Sequence, residues 1–193
     1  MDYNRQQIES LLQNVMNNQN NHNHKTLLRS SLLTTPLGSM LAIANDQALY
    51  LLKFVDQHNL KNKIEKFKTT ASAIVIPGRT HHINSIEQEL NAYFAGSLKE
   101  FKTPIHLLGS PFQKNVWNTL LTVSYGTTIS YAQEAHMLNK PSAHRAVANA
   151  NGANQLAIIV PCHRIIRSNG NLGGYNGGIA HKQWLIDHEK KNQ

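Results

Sequence analysis

The chain has 193 residues, of which 40% are hydrophobic, and a formal net charge of +8. This length allows one large domain or two small ones with real cores. The absence of any run of eighteen apolar residues predicts no membrane span, and the polar start Met1–Asn4 predicts no secretory signal. Cys162 is the single cysteine, so we expect no internal disulfide and a reducing, cytoplasmic location. The positive net charge suits a polyanionic partner such as DNA, and residues 111–193 carry +5 of this net charge.

Residues 1–26 are predicted to be a flexible extension outside the folded domains. The apolar residues between Ile8 and Met16 fit one face of a short amphipathic helix. The asparagine-rich run 17–24 is too polar to bury a core, so it predicts a linker. His22 and His24 could bind a metal, but no other ligand types cluster there and a solvated tail is the simpler interpretation.

Residues 27–108 have the pattern of a small domain with a sheet and a helix. Runs of strand length cover Leu27–Thr34, Ser39–Ala44 and Ala48–Phe54, and residues typical of turns separate them. Short turns between neighbouring strands predict an antiparallel meander. The spacing of apolar residues predicts a helix over Asn84–Ala95.

Residues 109–193 are predicted to be mostly helical. A first helix begins at Pro111, with Ser110 as its N-cap, and ends near Tyr125. A second helix follows from Tyr131 to about Leu138, and a third from Ser142 to about Asn151. The short break between them indicates either a helix-turn-helix or a plain helical hairpin. The third helix has a face rich in alanine and a second face that carries Ser142, Arg145 and Asn149, suited to a phosphate backbone.

The cysteine stands in the sequence Pro161-Cys162-His163-Arg164, after the apolar run Ile158–Val160. A histidine follows it directly and cationic groups lie within a few residues, which favours the thiolate over the thiol. A lone cysteine is more often a small buried hydrophobe, but these neighbours argue for a reactive one. A glycine-rich segment, Gly170–Asn176, follows.

The last predicted helix covers Ala180–Lys190. Glu189 lies four residues after Leu185, so it projects from the face that packs inward. A carboxylate in that position needs a partner. The alternative is a solvated glutamate at the end of a helix.

The segment Pro161–Arg164, with its flanking isoleucines and valine, resembles the active-site signature of the O6-alkylguanine-DNA alkyltransferases, the methylated-DNA–protein-cysteine methyltransferases. The resemblance extends through most of residues 27–189, including the turn Thr35–Gly38 and the segment Arg145–Asn154. It implies an α/β (α+β) fold. A small N-terminal domain with an antiparallel sheet would span residues 27–108, and a mostly helical C-terminal domain with a helix-turn-helix would span residues 109–193.

Some members of this family carry a structural zinc in the N-terminal domain, held largely by cysteines. This chain has no cysteine before residue 162, so we expect no metal there. His81 and His82 could be a remnant ligand pair, but the more economical interpretation is that they are surface or packing histidines.

The resemblance implies DNA repair by direct transfer of an alkyl group to Cys162. The substrate would be double-stranded DNA that contains O6-alkylguanine, and O4-alkylthymine as a second lesion. Because the product is a stable thioether, we expect each chain to react once. We expect the protein to act as a monomer, without a cofactor and without a membrane.

The resemblance also implies roles for the site residues. Cys162 would be the nucleophile, His163 a base acting through a water, and Glu189 the group that holds His163, in the logic of a nucleophile–base–orienter triad. Tyr131 would help the departing guanine and contact the phosphate that moves with the rotating nucleotide. Asn154 would tie the turn before the active-site strand to the active-site loop.

A target atom inside a duplex is out of reach, so the nucleotide must be flipped out. By resemblance Arg145 would fill the place of the flipped base, with the recognition helix in the minor groove. The predicted DNA contacts are Ser142, Ala143, Arg145, Asn149 and Tyr131. The predicted pocket residues are Ile165, Gly173, Tyr175 and Asn176.

Three other functions are disfavoured. Non-catalytic relatives that recognise alkylated guanine lack the cysteine that is present here. A cysteine hydrolase typically has spatially separated partners rather than adjacent Cys and His. A transcriptional regulator would need a second cysteine as a methyl sensor or an extra domain, and the sequence has neither.

Overall fold

The computed structural model describes residues 26–56 and 60–193. The predicted extension, with its short helix and with His22 and His24, lies outside these residues except for Thr26. The chain divides into two compact units, one formed by the described residues up to Gln88 with Thr103–Leu108, the other by Glu89–Lys102 with Gly109–Gln193. The second unit thus includes Glu89–Lys102 in addition to the predicted residues 109–193. Every helix in the described part of the chain is too short or too polar to cross a lipid bilayer.

The first unit contains a four-stranded mixed sheet with the order β3-β2-β1-β4. The three predicted strands are confirmed as β1 Thr26–Thr35, β2 Gly38–Ala44 and β3 Leu49–Phe54, and they pair antiparallel as expected. The prediction did not include helix α1, Leu60–Thr70, or strand β4, Ala73–Pro77. The helix carries the chain across so that β4 pairs parallel with β1.

The core of this unit lies between the sheet and α1. Ile64 and Phe67 stand three residues apart on α1, so they share one face of the helix and are both buried. The sheet contributes fully buried apolar residues to the same cluster, among them Leu28, Leu41 and Val75. The predicted helix after the sheet is confirmed as α2, His81–Phe94, and it begins three residues earlier than expected.

The second unit is mostly helical in its described residues. A two-stranded parallel ladder joins β5, Ile129–Ser130, to β6, Ile165–Ile166. The helices, each close to its predicted range, are α3 Pro111–Leu120, α4 Tyr131–Met137, α5 His144–Gly152 and α6 Ile179–Lys191.

Local sequence fixes where these helices begin. Ser110 and Ser130 each accept a hydrogen bond from the backbone three residues later, and Gln113 and Gln133 complete the two capping boxes. Pro141 opens a 3-10 turn, Pro141–Ala143, so α5 starts two residues later than the predicted Ser142. The buried Trp117 indole of α3 donates to the Ala150 carbonyl of α5 at 2.9 Å, which fixes the position of α5.

Candidate active site

Cys162 opens a 3-10 turn, Cys162–Arg164, that leads into β6. The apolar run before it is buried, as its composition predicts. The expected active-site strand is absent from this run, because residues 157–160 form turns and a bend. Ile158 has a φ of 71°, in the left-handed region that β-branched residues rarely adopt. Backbone strain of this kind is found at sites that must hold one geometry.

The Asn154 side chain joins three parts of the cysteine loop. Its Nδ2 donates to the Val160 carbonyl at 2.9 Å and to Cys162 Sγ at 3.3 Å. Its Oδ1 accepts from the Leu156 amide at 2.9 Å. Since Asn154 is itself buried, this single amide holds the turn after α5 against the cysteine loop and contacts the thiol.

A cavity of about 390 Å³ opens beside Cys162. Of the predicted site residues, Tyr131, Asn149, Tyr175 and Asn176 line it with Cys162. The remaining lining residues are Ala148, Asn151 and Gly152, which were not predicted for the pocket, and Gly174 of the glycine-rich segment that was expected to form its wall.

Ile165 and Gly173, also predicted for the pocket, do not line this cavity. Ile165 is completely buried. Gly173 has a φ of 71°, and a Cβ there would come within 3.2 Å of the Tyr131 hydroxyl. This position therefore suits glycine because it leaves room for the Tyr131 ring.

Two tyrosine hydroxyls lie at the cavity. Burial, and then the negative charge of Cys162, raises the pKa of Tyr131. Its hydroxyl therefore keeps its proton and can donate a hydrogen bond. The Tyr175 hydroxyl is buried and has no hydrogen-bond partner in the described part of the chain, and burial is the main reason that its pKa lies well above the usual value.

His163 is fully buried, and its Nε2 lies 2.8 Å from Glu189 Oε1. Burial lowers the pKa of His163 against the opposing pull of Glu189, so the ring is neutral. With Nε2–H donating to the carboxylate, the proton-accepting lone pair is on Nδ1. That Nδ1 is buried and has no hydrogen-bond partner within residues 26–56 and 60–193.

Glu189 is the most densely bonded side chain of the site. Besides His163 it accepts from the Tyr93 hydroxyl at 2.9 Å, from Arg164 Nε at 2.8 Å and from the Gly126 amide at 3.0 Å. Burial alone would raise the pKa of Glu189, but the hydrogen bonds from His163 and Arg164 and the positive charge of Arg164 outweigh it and hold that pKa well below its usual range. The alternative of a solvated glutamate is therefore wrong.

The sequence analysis missed the other partners of Glu189. Arg164 belongs to the Pro-Cys-His-Arg motif, yet its role was not considered. In the structure its guanidinium is bound by Glu189, donates to the Val123 carbonyl at 2.5 Å and lies 5.7 Å from the centroid of the Tyr125 ring. Tyr93 lies 96 residues before Glu189 on another helix, and no short-range pattern could have linked them.

Lys182 is a second buried group that the sequence did not reveal. Its ammonium donates to the carbonyls of Ile165, Leu172 and Gly174. Burial lowers the pKa of Lys182 to about 8, although the charge of Cys162 opposes the shift. One side chain of α6 thus joins β6 to the glycine-rich wall of the cavity.

Replacing Lys182 with methionine should leave three carbonyls without their donor. We expect the free energy of unfolding to fall by at least about 2 kcal/mol, since each buried unsatisfied group costs about 1–3 kcal/mol. Denaturant unfolding measures this loss. Lys190→Met, at the exposed end of the same helix, is the matched control, and equal stabilities of the two variants would contradict the anchoring role.

The predicted DNA contacts lie on and just before α5. Ser142, Arg145 and Asn149 are exposed and Ala143 is half-buried. On the opposite face Val147 and Ala150 are buried. The side chains that could meet a phosphate backbone therefore point to solvent, while the small apolar ones pack inward.

Two family models match the chain. The ribonuclease-like domain of 6-O-methylguanine DNA methyltransferase matches residues 28–107, and the DNA binding domain of the same protein matches residues 111–191.

Full-length relatives are similar over most of the chain. A methylated-DNA–protein-cysteine methyltransferase from Shigella flexneri is 37% identical over 169 residues, which are 81% of this chain and 92% of the relative. One from Mycobacterium bovis is 48% identical over 120 residues, 59% of this chain and 73% of the relative. The crystal structure of Mycobacterium tuberculosis OGT in complex with DNA has a TM-score of 0.72 and 37% identity, and covers 86% of this chain and 94% of that one.

Proposed function

Because the chain belongs to the methylated-DNA–protein-cysteine methyltransferase family, we propose that Cys162 accepts the alkyl group of O6-alkylguanine in DNA. The protein repairs DNA by alkyl transfer to a cysteine, and its sequence contains one cysteine. The observation that carries the proposal is that this cysteine lines a cavity and accepts a hydrogen bond from Asn154. In this proposal residues 109–193 react and residues 27–108 support them.

The reaction is a substitution at the alkyl carbon. The Cys162 thiolate forms a new S–C bond while the C–O6 bond breaks, and that electron pair remains with the guanine. The guanine then takes up a proton and Cys162 becomes a thioether. No described group could reverse this step, so we expect one reaction per chain.

His163 supplies the base for the thiol. Its Nε2–H is committed to Glu189, so Nδ1 is the nitrogen that can take the thiol proton, through a water. The carboxylate stabilises the imidazolium that forms and keeps the ring in one orientation, as in other nucleophile–base–orienter triads. Arg164 and Tyr93 fix the carboxylate in turn.

Tyr131 is the donor to the leaving guanine. It lines the cavity and its raised pKa keeps the hydroxyl protonated. Tyr175 and Asn176 also line the cavity, and the Asn176 amide donates to the Gly152 carbonyl at the end of α5. The pocket is thereby connected to the helix that would meet DNA.

Helices α4 and α5 form the DNA-binding helix-turn-helix in this proposal. Arg145 enters the base stack when the damaged nucleotide rotates into the cavity, and Ser142, Ala143 and Asn149 contact the backbone. The exposed position of Arg145 on α5 supports this role. We expect one chain to act alone on one lesion.

Replacing Arg145 with alanine should slow repair of duplex DNA by roughly tenfold or more, since filling the stack offsets part of the unstacking cost of a few kcal/mol. Reaction with free O6-methylguanine base should be unchanged because no stack is opened. Single-turnover rates on both substrates measure the difference. Lys190→Ala, which removes one charge from an exposed position, is the control. Equal losses on both substrates would exclude the intercalating role.

Intact mass spectrometry tests the proposed function as a whole. The protein is mixed with a duplex oligonucleotide that carries one O6-methylguanine, or with the unmodified duplex. With the modified duplex, we expect each chain to gain the mass of one methyl group, which peptide mapping should locate on Cys162. With the unmodified duplex, we expect no gain in mass. A reduced, folded sample that binds the lesion and gains no mass would identify a non-catalytic binder.

A further inference from the structure

A buried carboxyl and a buried amide face each other beneath the cavity. Glu134 of α4 is completely buried, and its Oε2 accepts a hydrogen bond from Asn151 Nδ2 of α5 at 2.7 Å. The other oxygens of the two side chains, Glu134 Oε1 and Asn151 Oδ1, are also buried, and neither has a hydrogen-bond partner among the residues that the structure describes. Each member of this bonded pair thus keeps one unsatisfied acceptor.

No cation in the described part of the chain compensates a negative charge on Glu134. Among residues 26–56 and 60–193 no cation forms an ion pair with it. The elements packed against α4 are α3, α5, the 3-10 turn Pro141–Ala143, β5 and β6. The 3-10 turn and both strands carry no titratable side chain. Apart from Glu134 itself, α3, α4 and α5 carry five charged or titratable side chains. Tyr131 is half-buried, and the exposed ones are Lys114, His136, His144 and Arg145.

A single proton removes the conflict. A neutral carboxyl group has one donor and one acceptor, and a primary amide has both as well. With the proton on Oε1, the carboxyl can donate to Asn151 Oδ1 while Oε2 continues to accept from Nδ2. All four groups are then paired, and no charge is buried. Burial also favours the protonated carboxyl group, since it raises the pKa of Glu134 to about 7.

We propose that Glu134 is protonated in the folded protein and closes a two-hydrogen-bond ring with Asn151, which positions Asn151 in the wall of the reaction cavity. Asn151 lines the same cavity as Cys162, so Glu134 is a positioning residue that acts through it. The assignment of this cavity as the reaction site rests on the proposed function, whereas the hydrogen bonding between Glu134 and Asn151 does not.

Glutamine at position 134 is the matched variant, because its amide can make the same two hydrogen bonds at any pH. A carboxyl whose pKa is raised by folding contributes stability at low pH and loses it as the pH rises toward the folded pKa. Between about pH 4.5, the ordinary carboxyl value, and about 7, the unfolding constant of the wild type relative to Glu134→Gln should rise roughly tenfold per pH unit. Above that range the ratio should be constant. Denaturant unfolding of both proteins across this range measures it, and a ratio that does not change with pH would overturn the proposal.

Infrared difference spectroscopy observes the proton directly. The wild type minus Glu134→Gln spectrum at pH 6 should contain the carbonyl stretch of a protonated carboxylic acid, and this band should disappear as the pH rises through 7. A carboxylate signal throughout would overturn the proposal. Neither this readout nor the unfolding data depends on alkyl transfer, so failure of the proposed function would be recognised separately.

The positioning role has its own test. Glu134→Gln should keep the wild-type rate of methyl transfer, and Glu134→Leu, which leaves Asn151 unpaired, should lower it by roughly tenfold or more, the effect of losing both hydrogen bonds. Rescue by glutamine separates positioning from packing. A leucine variant that folds and reacts at the wild-type rate would overturn the role of Glu134 in the site.

Discussion

The Cys162→Ser variant is expected to bind damaged DNA and to transfer no alkyl group. A serine hydroxyl is a far weaker nucleophile than a thiolate, because it remains protonated near neutral pH and His163 alone cannot activate it toward a saturated carbon. The sequence offers no second cysteine. Mass spectrometry after incubation with an O6-methylguanine duplex measures transfer, and a mobility shift measures binding.

The thermal melting temperature of Cys162→Ser provides the control, since the variant should unfold at the wild-type temperature. A methyl group found on any residue of the serine variant would place the acceptor elsewhere. Loss of DNA binding by a variant that folds normally would instead show that the thiol contributes to lesion recognition.

Glu189→Gln is expected to destabilise the protein by roughly 3 to 5 kcal/mol, the cost of removing one partner from a buried ion pair. The glutamine amide would leave the Arg164 charge uncompensated and would present donors to groups that also donate. It would also release His163, so alkyl transfer should slow even in the folded fraction. Denaturant unfolding and single-turnover kinetics measure the two effects.

Asp187→Asn is the matched control for Glu189→Gln, because Asp187 is an exposed carboxylate on the same helix. It should alter stability by less than about 0.5 kcal/mol. If the two variants were equally stable, the five hydrogen bonds that Glu189 accepts would not contribute to folding.

Lowering the pH should destabilise the buried cluster of His163, Arg164 and Glu189, because two of its groups act in the same direction. The pKa of Glu189 is depressed in the folded state, and so is the pKa of His163. A group with a depressed folded pKa contributes stability above its unfolded pKa and loses it as the pH falls. We expect stability to decline from near pH 6.5, where free histidine titrates, and further below 4.5. Glu134→Gln is the background in which to measure this decline, because Glu134 acts in the opposite direction.

The regular part of the fold was predictable from local pattern. The three strands of the meander alternate or run apolar between turn residues, and Ser110 and Ser130 mark helix starts by their capping chemistry. Helix α1 and strand β4 were missed because Leu60–Thr70 is rich in lysine and its buried face is marked by only three apolar residues, Leu60, Ile64 and Phe67. The five residues of β4 form a strand because they pair with β1.

The candidate site likewise has a part that could be predicted from the sequence and a part that could not. Cys162, His163 and Glu189 were assigned through resemblance in a short motif and a helix end, and the structure brings the last two together. The contacts that fix them depend on distant parts of the chain, as with Tyr93 and Lys182. Glu134 is a further case, because no local pattern distinguishes a glutamate that faces inward from one on the solvated side of a short helix.

Two buried side chains that hold the surroundings of Cys162 both come from α6: Lys182 binds β6 and the glycine-rich segment, and Glu189 binds the turn Cys162–Arg164. During translation the thiol and the helices that would meet DNA are therefore synthesised before the groups that support them. A nascent chain that has not yet exposed α6 carries the cysteine without its carbonyl anchor and without its carboxylate. In the proposed mechanism, reactivity is thus acquired late in synthesis, and a message interrupted before codon 182 would encode a protein with the proposed nucleophile but without the support for its proposed base.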